Sequence, residues 1–173
     1  MLINLKQEYT MAKHFVFSVF SISLLSLCLL CICESECQTK SAGMQDGVRL
    51  MAQSVVRDLH NEGPAAWLKY FSTSNQFFMA SNGMLVFPNI DSASSFVPRF
   101  AKQIQWVELT WNDIRIDSLT PDFCIMAAYY HESLIGAAGV QDTPSGYFTG
   151  VVENTSNGWK FRDAHWSTMN PQH

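Results

Sequence analysis

Near its C-terminal end the chain reads NGWKFRDAHWS, residues 157–167, with Asp163 and His165 two positions apart. On a strand, alternate side chains share a face, and same-face neighbours lie about 7 Å apart at Cα. At that reach a carboxylate can orient an imidazole and bias its charge, as general acid or base catalysis requires. Trp159, Phe161, Asp163, His165 and Ser167 make one face of such a strand; Lys160, Arg162, Ala164 and Trp166 make the other. The first face holds the large apolar pair Trp159 and Phe161, so it is expected to look inward and to carry Asp163 and His165 with it. Inward polar groups must find partners. These are a ligand or substrate on one reading, and Ser167, a tyrosine or backbone closing the strand end on the other.

Other candidates stand on neighbouring segments. In GYFTG, Tyr147 and Thr149 share a face with Val151 and either can donate a hydrogen bond. In FCIMAAYYHESLI, Tyr129 and His131 share one face, and Tyr130 and Glu132 the other. Periodicity leaves open which face looks inward; Tyr129 and His131 are carried as ligand contacts. Trp67, Tyr70, Phe78 and Trp111 are aromatic candidates for a cavity wall, and equally candidates for plain core. His60, His131 and His165 have neither the helical spacing of a metal site nor Cys ligands beside them, so no metal is expected. No nucleophile elbow, phosphate loop or dinucleotide fingerprint occurs, and no cofactor is expected.

The elements that must position these residues follow from periodicity. Val48, Met51, Val55 and Leu59 lie on one helix face, ended by NEGP. Pro64 opens a shorter helix, PAAWLKYF, placing Trp67 beside Tyr70 or Phe71. FFMASNGMLVF reads as a hairpin turning at Asn82 and Gly83. DSASSFVPRFAKQI is a helix capped by Asp91 or Ser92, with Phe96, Phe100 and Ile104 on one face and Pro98 inside. Val107, Leu109 and Trp111 then alternate as in a strand, and the apolar phase shifts to Ile114 and Ile116, which predicts a β-bulge near Asn112 and Asp113. FCIMAAYYHESLI, apolar on both faces, reads as a central strand; GYFTGVVEN and GWKFRDAHWST close the chain as a hairpin around TSNG. Helices followed by long bent strands specify an α+β fold: a cone-shaped curved antiparallel β-sheet of about five or six strands wrapped over the N-terminal helices, with a cavity inside.

Residues 15–32, FVFSVFSISLLSLCLLCI, are apolar throughout, preceded by Lys13 and His14 and followed by Glu34 and Glu36. That order reads as a signal peptide over residues 1–33, with Met11 an alternative start, then a linker over 34–43 and one domain over 44–170. A periplasmic or secreted protein is expected; an uncleaved membrane anchor is the alternative. Cys37 and Cys124 can pair in an oxidising compartment, or Cys124 stays free and buried in its apolar run. With 11 basic against 15 acidic residues and no basic stripe, nucleic acid is excluded as the main partner.

The order of helix, short helix with Trp67, NG hairpin, helix and long bent strands, ending in GYFTGVV and GWKFRDAHWS, resembles the nuclear transport factor 2-like superfamily. The likeness spans roughly Met44 to Met169 and is closest to the SnoaL-like and ketosteroid-isomerase-like branch and its uncharacterised bacterial members. The resemblance implies a cone-shaped α+β barrel with a deep pocket, commonly dimeric through the sheet. It also implies functions from isomerases, dehydratases and cyclases to non-catalytic binders. The Asp base and oxyanion pair of ketosteroid isomerase chemistry find no matching set here. The expected function is an exported small-molecule-binding protein with an aromatic-lined pocket, its ligand small and apolar or aromatic. The alternatives are a cofactor-free isomerase, dehydratase or cyclase using His165 and Asp163 as acid and base, and a dimerisation or docking module whose outer sheet face carries Trp106, Trp166 and Arg162.

Overall fold

A computed structural model describes residues 41–169; the expected signal peptide and most of the expected linker lie outside the described residues. Helix α1 covers residues 41–62. Its buried stripe, Val48, Met51, Ala52, Val55 and Leu59, has the expected period. A short 3-10 helix follows over Pro64–Lys69, with the proline in its first turn, where a missing N–H costs nothing. Strands β1 (Phe78–Ser81) and β2 (Met84–Phe87) pair as a hairpin. Asn82 and Gly83 both have positive φ, 49° and 81°, the backbone that a two-residue type I′ turn demands.

Helix α2 (Ile90–Ala101) departs from expectation in its cap and its face. Asn89, not Asp91 or Ser92, is the N-cap: its side chain accepts from the Ser92 N–H while the Ser92 hydroxyl accepts from the Asn89 N–H. Ala93 and Val97 face the core, so Phe96 lies at the surface. The remaining strands are β3 (Ile104–Thr120), β4 (Phe123–Gly136), β5 (Gln141–Asp142), β6 (Ser145–Thr155) and β7 (Gly158–Thr168). The bulge expected in β3 is present: register shifts between Asn112 and Arg115, and Asp113 takes φ 51°.

The sheet has seven strands in the order β2-β1-β7-β6-β4-β3, with β5 added to β4. It is curved and unclosed, and mixed rather than wholly antiparallel, because β1 joins the edge of β7 in parallel. That pairing joins residues over 80 positions apart, so no local pattern announces it. Strand β4 is internal, between β3 and β6, as its two apolar faces predict. The sheet's inner face packs on α1 through Val107, Leu109, Met126, Phe148, Val152 and Phe161. A second cluster, Phe71, Phe77, Phe87, Ala93 and Val97, joins α2 to the hairpin. Cys124 is free and buried. Among the described residues no helix is long and apolar enough to cross a membrane.

Candidate functional site

Strand β7 decides which residues see the interior. Its register against β6 runs Val152↔Phe161 and then Val151↔Asp163, so Arg162 is an extra residue, a β-bulge. Past a bulge the alternation inverts. Phe161 is inward, as expected, but the inward residues after it are Ala164, Trp166 and Thr168. Asp163, His165 and Ser167 therefore face outward, and His165 is exposed. The expectation that Asp163 and His165 line the cone is overturned by that one inserted residue. Trp166, expected on the outer face beside Trp106 and Arg162, is instead an inner residue.

On the outer face Asp163 has its own partners. Its Oδ1 accepts the Val151 N–H at 3.2 Å, and its Oδ2 lies 3.3 Å from the Arg162 guanidinium, whose Cζ sits over the Phe123 ring, 5.0 Å from its centroid. Thr149, Asp163 and His165 border a depression with Phe78 and Gly150. Its volume, about 380 Å³, exceeds that of the interior cavity, yet every lining residue belongs to one sheet and no element covers it. Tyr129 and Tyr147 meet edge to face on this side, with Tyr147 63% exposed, and His131 is exposed there too. A solvated surface of this kind gives little leverage over a ligand.

The inner cavity, about 260 Å³, is a cleft open to solvent on one side, where exposed Phe96 and Val86 form its rim; the 3-10 helix, the β1–β2 hairpin, α2 and the inner faces of β4 and β7 line it. Its wall is mostly aromatic and aliphatic, including Trp67, Phe87, Phe96, Phe100, Leu134 and Trp166. Trp67 is the one aromatic candidate from the sequence that lines it. Trp166 organises the wall, meeting Trp67 edge to face at 5.7 Å and Tyr130 at 4.8 Å. Trp111 stacks on Trp166 at 5.6 Å and is not in the wall; its Nε1 is buried without a hydrogen-bond partner. Tyr70 and Phe161 belong to the buried core, Tyr70 donating to Asp58 at 2.8 Å, and Trp159 packs against that core, where a Cβ on Gly47 of α1 would fall 2.5 Å from its Nε1.

The polar groups of the cavity come from the face of β4 opposite to Tyr129 and His131. Cys124, Met126, Ala128, Tyr130, Glu132 and Leu134 alternate inward, and Tyr130, Glu132 and Leu134 reach the cavity. The Tyr130 hydroxyl lies 2.8 Å from the Thr168 hydroxyl, across Gly146, which sits between them in the sheet register. Any side chain at Gly146 would collide with the Ser167 carbonyl, so the position stays bare and the two hydroxyls can meet. Burial pushes the Tyr130 hydroxyl's pKa up, against the Thr168 hydrogen bond, which pulls it down.

Glu132 is the carboxyl of the wall. Its backbone N–H is held by the Pro144 carbonyl at 2.9 Å, and its carboxyl makes no hydrogen bond or ion pair among the described residues. Burial, and then the charge of Asp142, push its pKa up to about 7 from an ordinary 4.5. No Lys or Arg lines the cavity. An unpaired carboxyl poised at neutrality in an apolar hollow can accept or donate a proton, or pair with a charge brought by a ligand. Sequence reasoning weighed Tyr130 and Glu132 but carried Tyr129 and His131 forward; the register Trp111↔Tyr130 puts Tyr130 on the inner face. Among the described residues no group of His, Cys, Asp and Glu is placed to hold a metal.

No protein-family model matches the chain, and no curated protein matches it. Solved structures do. A protein from Streptomyces avermitilis, provisionally assigned as a dehydratase of the NTF2-like family, superposes with TM-score 0.64 at 12% identity, over 75% of this chain and 99% of that one. An NTF2-like superfamily protein from Salmonella enterica gives 0.58 at 13% identity, over 79% and 94%. A protein with a cystatin-like fold from Caulobacter vibrioides gives 0.58 at 15%, over 75% and 92%. With the curved sheet, the α1 packing and the cavity inside the cone, these likenesses establish that the chain has the nuclear transport factor 2-like fold.

Proposed function

We propose that the protein binds a small, largely apolar molecule inside the cone, with one polar group of that molecule engaged by Glu132. The observation that carries this reading is the Glu132 carboxyl, unpartnered among the described residues, in an otherwise aromatic and aliphatic cavity. Fold alone would not select it. A volume of about 260 Å³ lies just below the usual range for drug-sized ligands, so the molecule has roughly a single ring. Trp67 and Trp166 supply flat contact area, and the Tyr130–Thr168 hydroxyl pair supplies a second polar contact. The test is a crystal structure of the protein taken directly from cells. Electron density between Trp166 and Glu132 is expected; a ligand held instead at His165 on the outer face would contradict the reading.

A second reading has one observation in its favour, the same carboxyl at about 7. A group near neutrality is matched to proton transfer, and two of the similar structures are provisionally assigned as dehydratases, one of them a scytalone dehydratase from Novosphingobium aromaticivorans. Here Glu132, not His165 with Asp163, would be the acid or base of a cofactor-free isomerase or dehydratase. Exchange of the α-protons of cyclohexanone in deuterated water, followed by NMR, checks it. Acceleration that disappears in Glu132→Gln supports an enzyme, and no acceleration removes this second reading.

Export and self-association belong to the same proposal. The basic leader and apolar run of residues 13–32 support export, and N-terminal sequencing of protein from the producing cell would show a start near residue 34. The exposed outer face, with Tyr147 and Phe78, supports pairing of two copies, which sedimentation measurements would detect.

A further inference from the structure

We propose that the molecule held in the cone is an organic cation, an amine or quaternary ammonium whose charge sits against Glu132 while its apolar part packs on the aromatic wall. The inference rests on the reading of the cone interior as a small-molecule site and adds the sign of the ligand's charge. Three independent features of the cavity agree on that sign. First, Glu132 presents a carboxyl with no hydrogen bond or ion pair among the described residues, and no Lys or Arg lines the cavity to serve as a counter-charge. Glu132 is half-buried, and a partly desolvated carboxylate without a protein partner is destabilised; a ligand that brings a positive charge offsets that cost.

Second, aromatic rings line the same cavity as the carboxyl. Trp67, Trp166 and Tyr130 meet edge to face, and Phe96 and Phe100 stack at 5.9 Å on the side of α2. The faces of such rings carry partial negative charge, which attracts a cation and repels an anion; cages of this composition are how quaternary ammonium groups are recognised. Third, the charged group that acts on Glu132 is another carboxylate, Asp142 on β5. Its negative charge makes the local field more favourable to a cation. A neutral carbonyl placed against Glu132 would need that carboxyl to stay protonated as a donor, and an anion would find no positively charged side chain in the wall.

The two kinds of ligand have opposite pH dependence. A cation binds the ionised carboxylate, so its affinity rises with pH through about 7 and binding below that pH releases a proton. A carbonyl acceptor binds the protonated form, and its affinity falls over the same window. Isothermal titration of the full domain at pH 6 and pH 8 with benzylamine, benzyl alcohol and benzoate uses three single-ring probes of similar size that differ in charge. Benzylamine should bind tightest, about tenfold tighter at pH 8 than at pH 6, because the carboxyl passes from roughly one-tenth to nine-tenths ionised. Glu132→Gln should abolish the preference for the amine and its pH dependence, whereas His165→Ala, on the outer face, should leave both in place. Benzyltrimethylammonium separates the two sources of the cation: tighter binding than benzylamine shows that the aromatic cage dominates, weaker binding that a hydrogen bond to Glu132 does, and either supports the proposal. Benzyl alcohol or benzoate binding at least as tightly as benzylamine at pH 8 would overturn the assigned charge and leave the cavity as a binding site. Failure of all the probes to bind would overturn both readings together.

Discussion

The two faces of the same sheet carry similar residue types in opposite circumstances. Outside stand Tyr129, His131, Tyr147, Thr149, Asp163 and His165, the side chains that look most like an active site in the sequence. Inside stand Tyr130, Glu132, Trp166 and Thr168, each one residue away from an outer counterpart. Outside, Asp163 is met by the Val151 N–H and Arg162, and His165 is open to solvent. Inside, Glu132 has no such partner among the described residues, and its proton affinity is shifted far from that of a solvated carboxyl. Residue type therefore says little about chemistry until desolvation is known: a single exposed imidazole is ordinary, and a carboxyl set without a partner in an apolar cleft is not.

Neighbouring residues on opposite faces allow the comparison to be broken experimentally. The largest contrast is between Phe148 and Tyr147. Phe148 is 1% exposed and packs on Trp111, Phe161 and Trp166, so Phe148→Ala is expected to cost about 3 to 5 kcal/mol in urea unfolding. Tyr147→Ala, on a monomer, is expected to stay within about 0.5 kcal/mol. Comparable losses at the two sites would mean that the faces are misassigned.

Next in size is the effect of Glu132 on stability. Its folded pKa, about 7, is above the ordinary 4.5, so the native state holds its proton longer than the unfolded chain does. Stability from this group is full below about 4.5, is lost as pH rises from there to about 7, and stays lost above. Glu132→Gln should therefore be about 1 to 3 kcal/mol more stable than the parent at pH 8, a little less than the whole shift because water reaches the half-buried carboxyl. At pH 4 the two should coincide. A variant less stable at pH 8 would show that the carboxylate has a structural partner.

Tyr130→Phe removes the hydroxyl bonded to Thr168 and is expected to cost about 1 kcal/mol, against almost nothing for Tyr129→Phe next to it. Chemical denaturation of the pair checks the assignment of β4's faces. The smallest effect belongs to His165→Ala, expected within about 0.5 kcal/mol of the parent and without influence on ligand affinity. A loss of binding there would return the site to the outer face.

Much of the fold was legible because local rules agreed with each other. The α1 stripe, the Asn82–Gly83 turn, the β6–β7 hairpin and the β3 bulge each left a short-range mark, the bulge through the apolar phase moving from Trp111 to Ile114. The same mark is present in β7, where the phase moves from Trp159 and Phe161 to Ala164 and Trp166. Treating FRDAHW as unbroken alternation overlooked it and turned the candidate pair inside out. Strand β4 is a different case. Both of its faces are apolar, so only its register with β3, which pairs Trp111 with Tyr130, reveals that Glu132 is inside. The parallel addition of β1 to β7 likewise joins residues far apart in the chain and leaves no short-range mark.

The central claim is that the cone holds one desolvated carboxyl, and its protonation can be followed directly. In protein labelled with carbon-13 at the glutamate side-chain carboxyl, with Glu132→Gln used to assign the resonance, the Glu132 signal is predicted to titrate with a midpoint near 7. A midpoint near 4.5, the value of a glutamate in water, would contradict the account.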